Sequence, residues 1–132
     1  MGLLFLTLLF GLEKRTEVSD LARYEQLLGS FPEYLTAPFP KVLPADARSP
    51  SLKFIERSGL GPSSRDLAVR FTLTPEGARA MLNDAKRIVS RLADKSQVEE
   101  TENEISLSHG DRVTILRILP TSGRVEIEVR MN

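Results

Sequence analysis

The sequence contains no cysteine and no tryptophan, and a single histidine stands among its 132 residues. A chain without cysteine has no disulfides, no thiolate metal ligands and no cysteine nucleophile. The redox compartment is left open, because such a domain suits either side of a membrane. A chain of this length buries roughly two thirds of the surface that it exposes when unfolded. We therefore expect at most one domain, which folds without disulfides or metal ions.

An excess of either charge is also missing, since eighteen Lys and Arg residues balance eighteen Asp and Glu residues. Attraction of a whole chain to nucleic acid requires a basic excess. No nucleic-acid partner is therefore expected, although local charged patches remain open.

Recognisable catalytic motifs are absent as well. His109 is followed two positions later by Asp111, an arrangement in which a carboxylate orients a general base. The nearby Ser106 and Ser108 lie in no recognised nucleophile elbow. A solvated turn is the favoured interpretation of this stretch, and a hydrolytic role for His109 is the minor alternative. We expect a protein that is not an enzyme.

Two loops resemble ligand sites only superficially. Residues 94–104 are acidic, but they lack the alternating ligands and the glycine of a calcium loop. The "SGLGPSS" stretch at residues 58–64 lacks the lysine of a phosphate-binding loop and opens no helix. No metal ion and no cofactor are therefore expected.

The sequence has one long apolar run, at residues 1–12, which carry no charged side chain. Its large apolar residues are Leu3, Leu4, Phe5, Leu6, Leu8, Leu9, Phe10 and Leu12. As a helix this run rises roughly 18 Å, short of the roughly 30 Å hydrocarbon core of a bilayer. Its length matches the apolar region of a secretory signal, but the preceding basic residues and the small-residue cleavage site are missing. A start upstream of Met1 would supply those basic residues.

We expect residues 1–15 to be a signal-like or anchor-like segment that attaches the protein to a membrane. The alternative is a cytoplasmic protein in which this run is a core strand or a dimerisation element.

Residues 16–50 are predicted to form a short helix and an extended lead-in. Apolar residues recur at helical spacing from Val18 to Leu28, with Ser19 or Asp20 as the cap and Gly29 as the stop. Five of the eight prolines follow within residues 30–50, which predicts an extended, polyproline-like segment. The side chains expected to dock this segment are Tyr34, Phe39, Val42 and Leu43.

Residues 51–132 carry the pattern of the folded domain. Residues 51–57 and 66–74 are strand candidates around a turn cluster, and Thr74-Pro75 begins a helix. The apolar stripe of that helix is Ala78, Met81, Leu82, Ala85, Ile88, Val89 and Leu92. A second hairpin is indicated by Val113 and Ile115 before its turn and by Val125, Ile127, Val129 and Met131 after it.

These elements predict an α+β fold, a two-layer sandwich in which one main helix covers a mostly antiparallel four-stranded sheet in ββαββ order. The outer side of the helix carries basic residues that are candidates for contact with an anionic partner. They are Arg79, Lys86, Arg87 and Arg91.

Residues 38–82, about a third of the chain, resemble small bacterial signal-anchored or lipoprotein-type domains. The shared features are a Pro-rich lead-in, a hairpin, and a strand that runs through a Pro-Glu cap into a helix. The residues that carry them are Leu43-Pro44, Ala47, Arg70-Phe71 and Pro75-Glu76. The resemblance implies a location outside the cytoplasm and no particular activity. Lipid attachment is not supported, because it needs a cysteine after the signal.

The leading hypothesis is therefore a non-enzymatic exported or membrane-anchored module of the cell envelope that binds a partner or has a structural role. The identity of the partner and the oligomeric state do not follow from the sequence.

Overall fold

The computed structural model describes residues 14–59, 63–91 and 97–132, and the fold is given for these residues. The strands are β1 (Lys14–Val18), β2 (Arg48–Ser58), β3 (Ser64–Thr72), β4 (Gln97–Glu100), β5 (Glu104–His109), β6 (Arg112–Leu119) and β7 (Arg124–Met131). The helices are α1 (Tyr24–Gly29), α2 (Glu33–Thr36) and α3 (Pro75–Ser90), and a 3₁₀ turn (Leu21–Arg23) leads into α1.

The strands form one sheet in the order β1-β2-β3-β7-β6-β5-β4, in which each neighbouring pair is antiparallel. The α+β class and the antiparallel sheet are confirmed. The predicted four strands and one main helix are wrong, because the described residues form seven strands and three α-helices. β1 crosses the predicted boundary between residues 15 and 16 and pairs with β2 in the same sheet as the later strands.

β4 lies within the stretch predicted as an acidic loop, residues 94–104, and β5 begins at its last residue and runs into the predicted solvated turn around His109. In β5 the buried Ile105 and Leu107 alternate with Glu104, Ser106 and Ser108. With only two apolar residues, the alternation along this segment is too short to distinguish a half-buried strand from a polar loop. The pairing with β6 supplies the remaining hydrogen bonds and makes this segment a strand.

The predicted hairpins of β2 with β3 and of β6 with β7 are confirmed, but the buried face of β6 differs from the expectation. Val113 and Ile115 are only half-buried, whereas Leu116 and Ile118 are fully buried. Apolar residues occur on both faces of this strand, so the alternation of apolar and polar residues does not by itself identify the inner face. The choice is made by β7, whose buried residues stand opposite Leu116 and Ile118.

The short helix predicted before residue 30 is confirmed. The Asp20 side chain accepts a hydrogen bond of 3.0 Å from the Ala22 N–H, and α1 ends at Gly29. The prediction of a continuous extended segment in residues 30–50 is wrong, since α2 forms within it. Val42 is also not docked, because its side chain is 61% exposed.

α3 begins where the sequence predicts a helix start, with Pro75 in its first turn and the Thr74 hydroxyl accepting a 3.1 Å hydrogen bond from the Gly77 N–H. Its buried residues are Ala78, Leu82, Ala85 and Val89. Met81 of the predicted stripe is half-buried and packs against the core, whereas Ile88 departs from the stripe and is 36% exposed. Both lie on the flank of α3 that faces the Pro-rich segment. Leu92 lies outside the described residues.

The core lies on one face of the sheet, against the helices. The Thr114 hydroxyl is buried in it and donates a 2.8 Å hydrogen bond to the Leu35 carbonyl, which joins β6 to α2. At one end of β3 the Arg65 guanidinium contacts Glu56 at 3.0 Å and donates a 2.9 Å hydrogen bond to the Ser30 carbonyl at the end of α1. These contacts fix the short helices on the sheet.

Candidate functional site

A groove runs between α3 and the Pro-rich segment 38–46. The α3 wall consists of residues at steps of three and four, which share one side of a helix. These residues are Gly77, Ala80, Met81, Asp84, Ala85 and Ile88. The opposite wall and floor are formed by Pro38, Phe39, Pro40, Pro44, Asp46 and Leu73. The groove has a volume of about 370 Å³, at the lower end of the range for ligand pockets.

Small residues on α3 keep the groove open. Gly77, Ala80 and Ala85 add little volume on the helix side, so the space is left between larger apolar neighbours. The helix rises about 16 Å from Gly77 to Ile88. This length matches about five residues of extended chain.

The Pro-rich wall is held in place by contacts to the core. The Tyr24 hydroxyl donates a 2.7 Å hydrogen bond to the Pro40 carbonyl, and the neighbouring Phe39 side chain is buried. Burial raises the pKa of Tyr24 above its ordinary value, so the phenol stays protonated and remains a donor at neutral pH. The groove is therefore formed before any ligand is present.

The charged side chains that line the groove are both acidic, namely Asp46 and Asp84. Asp84 forms an ion pair with Arg87, one turn further along α3. Asp46 is exposed, and within the described part of the chain its carboxylate forms neither an ion pair nor a hydrogen bond. The site is thus an apolar groove with negative charge at its rim.

The basic residues predicted to form one anionic-partner face are divided over α3. Arg79 and Lys86 lie on one flank, and Lys86 donates a 3.4 Å hydrogen bond to the Glu102 carbonyl. Arg87 lies further round the helix and is paired with Asp84, and Arg91 follows the last residue of α3 as its C-cap. Arg79 lines a second recess of about 370 Å³, with the polar residues Asn83, Asn103 and Thr121 among its other walls.

His109 ends β5 and lies at the exposed end of the inner face. Its ring stands edge-on to Tyr34, with ring centroids 5.2 Å apart, and the Tyr34 hydroxyl accepts a hydrogen bond from Arg112. Ser106 and Ser108 belong to the alternate positions of β5 and so face the other side of the sheet. The structure does not bring these serines together with His109.

The outer face of the sheet carries alternating charges. Arg117 lies between Glu104 at 3.5 Å and Glu126 at 3.3 Å, and Arg130 pairs with Glu128. An antiparallel sheet with one solvated face has this pattern. Exposed pairs of this kind contribute about 0 to 1 kcal/mol each.

The structure also bears on predicted metal and membrane sites. Within residues 14–59, 63–91 and 97–132, no three His, Asp or Glu side chains come together as metal ligands. None of the helices described is both long enough and apolar enough to cross a membrane. The predicted membrane segment, residues 1–12, lies outside the described residues, as does Asp94 of the acidic stretch.

The sequence interpretation missed the groove because it assigned Met81 and Ile88 to the core. The available signal was the group of small residues on one flank of an amphipathic helix. A groove also needs a second wall, and small residues on a helix do not indicate which segment of the chain forms that wall.

Comparisons with known proteins add no relative. No protein-family model matches the chain, and no curated protein or solved structure shows a significant similarity to it. The resemblance to signal-anchored domains therefore stays a prediction.

Proposed function

We propose that this protein is a non-enzymatic binding module of the cell envelope, exported or held at a membrane by residues 1–12, which takes apolar side chains of a protein partner into the groove of α3. The observation that carries this proposal is the groove itself. It is preformed, lined mainly by Pro, Met, Ile and Ala side chains, and open to solvent.

The apolar lining of the groove supports this proposal, since Ile88 on its wall is 36% exposed. Contiguous apolar surface that is open to solvent marks interaction sites in soluble domains. A partner that covers it removes apolar area from water at about 25 cal/mol per Å².

The groove is tested with an uncharged peptide, acetyl-Gln-Leu-Ala-Leu-Gln-amide, whose extended length is about 16 Å. We expect saturable chemical-shift changes at the amides of Ala80, Met81 and Ile88 in the nuclear magnetic resonance spectrum of the full chain. Ala80→Trp should abolish these changes, because the exposed Ala80 side chain lines the groove and the indole would fill it.

The matched control is Ala68→Trp, which changes another exposed alanine, on the outer face of β3. This variant should bind the peptide as the unchanged protein does. Shifts spread over the surface, or equal binding by the Ala80→Trp protein, would contradict the proposal.

Membrane attachment is tested by flotation of the full chain with phosphatidylcholine vesicles. We expect the chain to float, and the double variant Leu6→Asp/Leu9→Asp to stay in the dense fraction. Each aspartate costs about 3 kcal/mol at the centre of an apolar segment. The control Val42→Asp, which changes an exposed apolar residue elsewhere, should float normally.

The cytoplasmic alternative predicts a different outcome of the same experiment. If residues 1–12 are a core strand or a dimerisation element, the unchanged chain stays in the dense fraction. The double variant then unfolds or dissociates, which circular dichroism and size-exclusion chromatography detect. That result would contradict membrane attachment and leave the groove proposal to its own test.

A further inference from the structure

We infer that the groove binds a partner segment in which leucine-type side chains are flanked by lysine or arginine. This inference rests on the proposed function and adds the chemistry of the partner. Its basis is the charge distribution around the groove, since both charged lining residues are carboxylates.

The basic residues of α3 are directed to other contacts. Lys86 donates to the Glu102 carbonyl, and Arg79 lines the separate recess with Asn83 and Asn103. Arg87, which precedes the lining residue Ile88, forms an ion pair with Asp84. Lys41, which follows Pro40 on the opposite wall, lines a different recess together with Glu25 and Glu33. The lining residues therefore present negative charge without a cation among them.

The two carboxylates lie at different points along the groove. Asp46 comes two residues before Arg48, which pairs with Thr72 just ahead of α3, so Asp46 lies toward the start of the helix. Asp84 lies in the third turn of α3. An extended segment along the groove therefore meets Asp46 toward the start of α3 and Asp84 further along the helix, before Ile88. Asp46 offers the stronger contact, because Asp84 already has a partner.

The same charges disfavour other classes of ligand. Phosphates of nucleic acids and anionic lipid headgroups bind to clusters of Lys and Arg. Carboxylates at the rim repel them. A cationic and apolar protein segment is the class of partner that satisfies both the lining and the rim of the groove.

The experiment compares three peptides on the full chain: acetyl-Lys-Leu-Ala-Leu-Lys-amide, the uncharged glutamine peptide, and the glutamate peptide of the same pattern. We expect the lysine peptide to bind about two- to fivefold more tightly than the glutamine peptide at low salt, as exposed ion pairs do. The glutamate peptide should bind more weakly than both. The difference should shrink as the salt concentration rises, because salt screens exposed charges.

Asp46→Asn should remove most of the preference for lysine and leave the affinity for the glutamine peptide unchanged. The matched control is Asp111→Asn, which changes an exposed aspartate in the turn between β5 and β6 and should keep the preference.

Two outcomes would overturn the inference, and they are distinguishable from a failure of the proposed function. Equal binding of the three peptides by the groove would refute the charge selectivity while the binding function stands. A lysine preference that persists in the double variant Asp46→Asn/Asp84→Asn would show that other residues supply it. Absence of binding by all three peptides would overturn the proposed function together with the inference.

Discussion

Replacement of Phe71 by alanine is expected to lower the free energy of unfolding by about 3 to 5 kcal/mol. Phe71 is 2% exposed on the inner face of β3, opposite Val125 of β7. Loss of the ring removes buried apolar surface and leaves a cavity that the paired strands cannot close. A domain of this size has a net stability of about 5 to 15 kcal/mol, so this variant should be close to unfolding.

The measurement is urea unfolding followed by circular dichroism. Met81→Ala should cost less than Phe71→Ala, because Met81 is half-buried at the groove and is already partly in contact with water. Arg70→Ala, next to Phe71 but on the exposed outer face, should change stability by no more than about 0.5 kcal/mol. A midpoint for Phe71→Ala that matches the midpoint for Arg70→Ala would show that the assigned faces of β3 are wrong.

Replacement of Gly123 by alanine is expected to destabilise the protein by at least about 2 kcal/mol. Gly123 lies in the turn between β6 and β7 with φ +77°, a conformation that L side chains rarely adopt. A Cβ at this position would overlap the backbone carbonyl of Leu73. The Gly123 carbonyl also accepts a 2.8 Å hydrogen bond from the Leu73 N–H. The methyl group would therefore force apart the turn and the junction of β3 with α3.

The control for this prediction is Gly110→Ala, in the turn between β5 and β6. Gly110 has φ +66°, but a Cβ there meets nothing within 4 Å. Its substitution should cost only the backbone strain, about 1 to 2 kcal/mol. Thermal unfolding of the two variants separates strain from steric overlap, and equal losses of stability would argue against the close approach at Gly123.

Strong local patterns in the sequence were sufficient for part of the fold. β3 alternates large apolar residues with polar ones, and α3 begins at a Thr-Pro pair that both caps it and starts it. β7 alternates in the same way, with Val125, Ile127 and Val129 buried. In each of these elements one face is buried along the whole length, so the period of the apolar residues identifies the element and its inner face.

Weak local patterns left the extent of the sheet undetermined. β1 and β4 are short edge strands. β1 carries charged residues that form ion pairs along the strand, such as Arg15 with Glu17 at 3.6 Å. Such strands gain their stability from hydrogen bonds to a neighbour that is distant in sequence. β1, for example, pairs with β2 across the whole of α1, α2 and the Pro-rich segment.

The balance of charge and the lack of cysteine follow from the composition alone. The central elements β3, α3 and β7 followed from the amino-acid order, because each depends on neighbours within one helix turn or one strand. The groove did not follow from it. Asp46 and Asp84 lie 38 positions apart in the sequence, and no local rule relates them. They line one groove because the Tyr24 hydroxyl holds the Pro-rich segment at Pro40 and because α3 packs with Met81 and Ile88 toward that segment. Long-range packing sets these positions, which is why the candidate site emerged only with the folded chain.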